Sequence, residues 1–231
     1  MANSRHGVLS RWAMAAFLVL VMAPPANSGT IFSNFGPGDT YGPDGIGIGA
    51  IPVPGYFLYA ATPFSPAGAD YRLTGLELPL AVVSGPLEAD VFLMGDLGGA
   101  PSGVIEAFHL TGFAPAGPLT LVSIPSVLNP VLASGTQYWV AATGGTPTTF
   151  AIWALTLFAG DPSAGGASRA IIFGEDAGWT VYSGARTGAV RVSGDAVPEP
   201  ACFLLTAAGC GFLGAAVVRR RRARAGRSIP G

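Results

Sequence analysis

Lysine is absent from this chain of 231 residues, and cysteine and histidine each occur only twice. Without a lysine amine, Schiff-base chemistry is excluded. Cys202 and Cys210 share one uncharged apolar run, where eight residues of helix would hold them ~12 Å apart, too far for a disulfide. His6 stands close to the N-terminus, which leaves His109 for the middle of the chain. A thiolate site, a multi-histidine zinc site and a cysteine nucleophile are therefore excluded there.

Motifs of the common catalytic sites are also missing. No G-x-S-x-G elbow accompanies His109, and the stretch GIGIGA at 45–50 has the spacing of neither a phosphate loop nor a dinucleotide loop. His109 belongs to the strand-like segment FHL, so we expect a strand residue that faces solvent or takes part in a hydrogen bond. We predict no catalytic residue and no enzymatic activity.

Charge is scarce and unevenly placed. Residues 29–197 carry twelve acidic side chains against four arginines, a formal net charge of −8. Such a segment repels anionic polymers, so nucleic acid is not an expected partner. Six further arginines lie within 219–227, but no aromatic residue is interleaved with them as in a nucleic-acid-binding surface.

The first 28 residues contain a charged, an apolar and a small-residue region in the order typical of a secretory signal peptide. Arg5 and Arg11 precede an apolar stretch at 12–22, and the small-residue segment APPANS follows it. Eleven apolar residues are too few for a membrane-spanning helix, which takes ~20. We expect the secretion machinery to export the chain and signal peptidase to cut it after Ser28.

A second apolar run, from Ala201 to Val218, contains 18 uncharged residues. As a helix it would be ~27 Å long, which is sufficient to cross the hydrocarbon core of a membrane. The basic cluster that follows directly consists of Arg219, Arg220, Arg221 and Arg222. Because basic residues beside a span stay on the cytoplasmic side, we predict a transmembrane helix at 201–218, with the preceding domain outside the inner membrane.

Pro198, Glu199 and Pro200 stand just before this run. The prolines lack N–H donors and fix φ, so the tripeptide holds the chain extended, where a processing enzyme can bind it. The order of VPEP, a single span and RRRR resembles the PEP-CTERM sorting signal of exported proteins in Gram-negative bacteria that make exopolysaccharide. The resemblance implies a transient stay in the inner membrane, removal of the tail by a membrane-embedded exosortase, and delivery to the cell surface or extracellular layer.

Residues 29–196 form one β-rich domain by their sequence pattern. Short apolar runs alternate with turn sequences, and Leu76, Leu78, Leu80 and Val82 recur at every second position, as in a strand with one buried face. Strands are predicted at 71–83, 89–94, 104–110, 119–124, 136–142, 150–158, 169–173, 178–182 and 187–193. We predict an all-β fold, an antiparallel β-sandwich of jelly-roll type, flanked by the signal peptide and the transmembrane helix.

Three segments of this domain carry a second resemblance: IFSNFGPGDTY, DVFLMGDLGGAPSGVIEAFHL and ASGTQYWVAA. They are similar to segments of the bacterial choice-of-anchor surface domains, and the similarity extends over most of residues 31–194. These β-rich domains occur with different C-terminal anchors. The resemblance implies a β fold and a surface location, and it implies no particular reaction.

Two groups of acidic side chains are candidates for chemistry. A glycosidase would need carboxylates that meet in space, and those on or beside predicted strands are Glu77, Glu88, Asp90 and Glu106. Calcium would need oxygen ligands in glycine-rich loops, and those available are Asp39, Asp44, Asp96, Glu175 and Asp176. Solvated carboxylates and ordinary Asp-Gly turns are the commoner explanations, so we expect no cofactor and no metal, with calcium as the alternative.

Aromatic side chains could stack on sugar rings if they were exposed. Most are expected in the core, because their neighbours are apolar: Tyr138, Trp139, Trp153, Trp179 and Tyr182. The segment GYFLYA at 55–60, beside a proline-rich loop, is the expected exposed exception.

The chain is thus predicted to have a signal peptide (1–28), an exported domain (29–196) and a sorting tail (197–231). The expected function is binding or scaffolding in an exopolysaccharide layer or biofilm matrix. One alternative is a secreted carbohydrate-active enzyme on the same fold. Another is a single-pass membrane protein whose tail is never cut.

Overall fold

The computed structural model describes residues 28–113, 118–157, 165–172, 174–184 and 186–198. Within these ranges the chain forms thirteen β-strands and no helix, and the strand pairings are antiparallel. The strands are β1 (Gly29–Ser33), β2 (Gly45–Ala50), β3 (Tyr56–Phe64), β4 (Tyr71–Ser84), β5 (Glu88–Leu97), β6 (Ala100–Thr111), β7 (Thr120–Pro125), β8 (Val131–Leu132), β9 (Tyr138–Gly144), β10 (Phe150–Ala154), β11 (Gly165–Ile172), β12 (Glu175–Ser183) and β13 (Arg191–Ala196). The predicted all-β antiparallel fold is confirmed.

Hydrogen bonds join these strands into one sheet whose main path is β1-β13-β4-β10-β2-β3-β9-β5-β6. β4 has 14 residues and takes neighbours on both edges. β13 and β10 follow one another along its first edge, and β8 and β7 lie along the second. Farther along the path, β11 pairs with β3 and carries β12 on its outer edge.

The sheet turns a corner between β2 and β3, where only two residue pairs join the strands, Gly49 with Leu58 and Ala50 with Phe57. Gly49 has a φ of 80°, and a side chain there would collide with the carbonyl oxygen of Thr149. Glycine fits both the left-handed conformation and this close approach. Beyond the corner the two halves of the sheet face each other, so the fold is sandwich-like.

The main core lies between these halves. β4 contributes Leu76, Leu78, Leu80 and Val82, all fully buried, which confirms the alternation predicted for this strand. Inward side chains of three other strands complete the cluster: Ala60 and Phe64 of β3, Ala89, Val91 and Leu93 of β5, and Tyr138, Val140 and Ala142 of β9. Each fully buried aliphatic side chain stabilises the fold by roughly 1.5–3 kcal/mol relative to exposure.

A second apolar cluster lies on the opposite face of β3, β5 and β9. Its members are Ala61, Met94, Trp139, Ala141 and Ala167, with Phe92 and Trp179 packed against them. The small alanine side chains allow Trp179 to reach across this face, and β12 approaches β6. The strands β12-β11-β3-β9-β5-β6 therefore curl as a half-barrel around a concave face.

Each of the nine predicted strands overlaps a strand of the structure, with shifted ends. The strand predicted at 150–158 ends at Ala154, because the N–H of Thr156 donates to the carbonyl of Thr187 instead. The strand predicted at 187–193 begins only at Arg191. β1, β2, β3 and β8 lie outside the predicted strands, because their sequences are short, rich in glycine or, in β3, interrupted by Pro63.

The predicted signal peptide (apart from Ser28), the span at 201–218, Glu199, Pro200 and the basic cluster lie outside the described residues. Within the described part of the chain, no helix is long and apolar enough to cross a membrane.

Candidate functional site

The concave face of the half-barrel carries a row of polar and aromatic side chains, one from each strand. Strand registers pair Trp179 with Arg169, Arg169 with Tyr59, Thr143 with Asp90, and Asp90 with His109. Because side chains that are paired across a sheet point to the same face, this row crosses the half-barrel from β12 to β6.

A cavity of about 780 Å³ opens beside this row, a volume typical of ligand-binding clefts. The loop before β3 and the loop after β9 form its walls. Its lining includes Tyr56, Phe57 and Tyr59 on one side and Asp90 and Thr146 on the other. The cleft thus combines aromatic faces with a carboxylate and hydroxyl groups.

Tyr59 is the centre of the aromatic half of the cleft. Its ring lies edge-on to Phe57 at 5.6 Å and to Trp179 at 6.3 Å between centroids. The guanidinium carbon of Arg169 lies 5.5 Å from the centroid of the same ring. Burial raises the pKa of Tyr59, so its hydroxyl stays protonated and can donate a hydrogen bond.

Arg169 is held in place by Asp176 on the neighbouring strand. Its Nε donates to Oδ1 of Asp176 at 2.8 Å, and its Nη2 contacts Oδ2. The hydrogen bond from Arg169 lowers the pKa of Asp176, with a smaller contribution from the N–H of Gly178. This two-pronged pair holds the guanidinium group over the Tyr59 ring.

His109 forms the other end of the row. Its Nδ1 lies 2.7 Å from Oδ1 of Asp90, and its Nε2 lies 3.7 Å from Oε2 of Glu88. The side chain is 53% exposed, and the hydrogen bond with Asp90 raises its pKa. The prediction that His109 is a strand residue engaged in a hydrogen bond is confirmed. Its bonded partner in the described structure is a carboxylate and not a serine hydroxyl.

The four candidate carboxylates do not converge on one site. Only Glu88 and Asp90 come together, on the same face of β5 around His109. Glu77 binds Arg191, with 2.8 Å between Oε2 and Nη1. Glu106 is buried and accepts hydrogen bonds from the loop that follows β7.

Four of the five candidate calcium ligands are engaged with other side chains, and the fifth, Glu175, is exposed on β12 beside Asp176. Three of them pair with arginines: Asp39 with Arg191, Asp44 with Arg186, and Asp176 with Arg169. Asp96 accepts hydrogen bonds from Trp139 Nε1 and Gln137 Nε2, each at 2.8 Å. Among the described residues there is no group of three or more histidine, cysteine or acidic side chains that could hold a metal ion.

The aromatic side chains singled out in the sequence differ in burial: some lie in the core, and others are half-buried on the half-barrel. Trp139, Trp153 and Tyr138 are buried, as expected. Trp179 and Tyr182 are only half-buried, because β12 lies at the edge of the half-barrel. The segment GYFLYA, expected as an exposed cluster, instead enters β3, where Tyr56, Phe57 and Tyr59 are half-buried and line the cleft. No local signal marks Arg169 as part of this site, because the contact with Tyr59 joins distant parts of the chain.

Of the three predicted sorting residues, Pro198 lies within the described part of the chain. It directly follows Val197, whose N–H donates to the carbonyl of Asp70 at 2.8 Å.

A comparison with the known protein families and with the curated proteins finds no match for this chain.

Proposed function

We propose that this chain is an exported bacterial surface or extracellular-matrix protein that binds neutral polysaccharide in the cleft of its half-barrel. The observation that supports binding is the row from Trp179 to His109, which places aromatic rings beside fixed hydrogen-bonding groups. Aromatic faces pack against the apolar faces of sugar rings, while Asp90, Glu88 and Arg169 can bind hydroxyl groups.

The charge of the domain narrows the class of polysaccharide. A net charge of −8 over residues 29–197 repels uronic-acid and sulfated polymers. Arg169, which lies beside the cleft over the Tyr59 ring and could attract an anion, is already paired with Asp176. A neutral polymer, recognised through its rings and hydroxyl groups, is the ligand class we propose.

The delivery of the domain is a second part of the proposal. The signal peptide would direct export, the span at 201–218 would hold the chain in the inner membrane, and an exosortase would cut near Pro198, Glu199 and Pro200. The resemblance to PEP-CTERM and choice-of-anchor proteins supports this route, as does the order of the three tail elements. A jelly-roll arrangement of the sandwich belongs to the same proposal.

Binding can be tested with the full chain in mild detergent. Affinity electrophoresis or calorimetry would compare neutral glucans and mannans with anionic polymers such as alginate. We expect Tyr59→Ala and Trp179→Ala to weaken binding of a neutral polymer by roughly tenfold each, about 1.4 kcal/mol. The control is Tyr41→Ala, which removes a half-buried ring outside the cleft that packs at 6.0 Å from Phe35. Equal affinities of all three variants and the parent would reject the cleft as the binding site.

A carbohydrate-active enzyme is the second candidate, because Glu88 lies close to Asp90 at the end of the row, both beside His109. Hydrolysis would need one carboxyl group as acid and the other as nucleophile or base. Release of reducing ends from a bound polymer, abolished by Asp90→Asn, would establish this alternative. Binding without release of reducing ends would reject it.

A further inference from the structure

The loop between β7 and β8 exposes two adjacent aliphatic side chains. Val127 is 83% exposed and Leu128 is 66% exposed. Single exposed aliphatic residues are common on proteins, but a pair at the tip of a loop adds local apolar surface. The hydrogen bonds of this loop show that the exposure is built into the structure.

Glu106 of β6 fixes the loop from beneath. The residue is 3% exposed, and its Oε1 accepts the N–H groups of Val127 at 2.7 Å and Leu128 at 2.9 Å. Oε2 accepts the hydroxyl of Ser126 at 2.6 Å. Asn129 closes the turn at a φ of 47°, with its N–H donating to Ser126 Oγ at 3.0 Å. The buried carboxylate of Glu106 therefore fixes the backbone at Val127 and Leu128, and both aliphatic side chains point away from the domain.

This loop lies at the end of the domain from which the chain leaves. The N–H of Leu73 donates to the carbonyl of Pro130 at 2.9 Å, which ties the loop to the start of β4. Arg72 of β4 pairs with Val131 on one edge and with Asp195 on the other. Two strand spacings of ~4.8 Å place the end of the loop about 10 Å from the last strand.

Few residues separate β13 from the predicted membrane span, so the end of the domain that carries the β7–β8 loop lies close to that span. Ala201, the first residue of the uncharged run, follows Pro198 by three residues. Three extended residues reach at most about 10 Å. A span that begins at Ala201 therefore leaves the loop within reach of the bilayer surface. Val83, another exposed aliphatic residue, is 12 residues farther along β4 than Tyr71, about 40 Å away along the strand.

We infer that Val127 and Leu128 dock the domain on the lipid surface of the inner membrane's outer leaflet while the tail is uncut. This rests on the transmembrane span of the proposed function. Two rigidly held aliphatic side chains enter the boundary between headgroups and acyl chains, as the apolar face of a peripheral helix does. With the span as the first attachment and the loop as the second, Pro198 is kept at a fixed height and orientation above the bilayer.

The test uses the full chain with Cys202→Ala and Cys210→Ala. These are the two cysteines of the sequence, so a cysteine introduced elsewhere is then the single labelling site. A single new cysteine, Val127→Cys or the control Val83→Cys, carries an environment-sensitive fluorophore. Both proteins are reconstituted in phosphatidylcholine vesicles that contain a lipid with a nitroxide near the headgroup. We expect quenching at 127 to exceed quenching at 83 by roughly threefold or more. Leu128→Asp in the Val127→Cys protein should reduce that quenching to the level at 83.

Extraction with alkaline carbonate separates the possible failures. A chain that resists extraction but is quenched equally at 127 and 83 has its span and lacks the docking contact, so the inference alone is overturned. A chain released by carbonate has no span, which overturns the inference together with the membrane step of the proposed function. If quenching at 127 falls as the protein-to-lipid ratio rises, the loop contacts a second copy of this chain. That result would likewise overturn docking on lipid.

Discussion

Replacing Glu106 by glutamine tests the buried carboxylate that supports the exposed loop. Glu106→Gln keeps the size of the side chain and one carbonyl oxygen for the N–H groups of Val127 and Leu128, but it removes the charge. Its amide nitrogen cannot accept the hydroxyl of Ser126 as Oε2 does. A hydrogen bond to a charged group contributes about 1.5–3 kcal/mol, and one between neutral groups about 0.5–1.5 kcal/mol. The two bonds to Oε1 therefore lose about 1 kcal/mol each, and loss of the bond from Ser126 costs about 1 kcal/mol more, so we expect the free energy of unfolding to fall by about 3 kcal/mol.

Urea unfolding of the full chain in mild detergent measures this change. Fluorescence of the buried Trp139 and Trp153 reports loss of the fold. For a chain of this size the same loss lowers Tm by roughly 6–12 °C. Glu175→Gln, at an exposed position of β12, is the matched control and should stay within about 0.5 kcal/mol of the parent. A Glu106→Gln protein as stable as this control would refute the role of Glu106 as the support of the loop.

Two further predictions concern the cleft and the core. NMR titration should give His109 a pKa above its ordinary 6.5, and Asp90→Asn should lower it; a pKa below 6.5 in the parent would contradict the pairing. Because this pKa is raised in the folded state, the pair's contribution to stability is complete below pH 6.5 and is lost as pH rises through the folded pKa. Gly188→Ala should destabilise by about 1–3 kcal/mol, because the new Cβ would overlap the Trp153 ring. Trp153→Phe should reduce that penalty in the double variant, and equal penalties in both backgrounds would contradict this packing.

Local sequence pattern was sufficient for the fold class and for the strand with the clearest period. In β4, alternate leucines indicate a strand with one buried face, and the structure confirms it. The same reasoning did not predict β3, because its aromatic residues Tyr56, Phe57 and Tyr59 line the cleft and Pro63 interrupts its hydrogen-bonding pattern. The glycine-rich β2 carries too few apolar side chains for a period to be visible, although its position at the corner depends on Gly49.

The candidate site could be predicted only in fragments, because its residues meet through pairings between distant strands. His109 and Asp90 lie on adjacent strands, and their partnership is compatible with sequence reasoning about a hairpin. Arg169 reaches Tyr59 only because β11 pairs with β3, which no local pattern indicates. Glu106 stood among the catalytic candidates as one strand carboxylate of four, and its actual partners follow it by 20 residues or more.

The most direct test of the account is the intact mass and cellular location of the mature product in a Gram-negative host with an active exosortase. We expect a product that begins near Gly29, ends between Pro198 and Pro200, and lies outside the inner membrane. Glu199→Ala should block the C-terminal cut and leave the chain in the inner membrane. A parental product that remains in the inner membrane and retains Arg219 to Gly231 would rule out the sorting route and make the tail a permanent anchor.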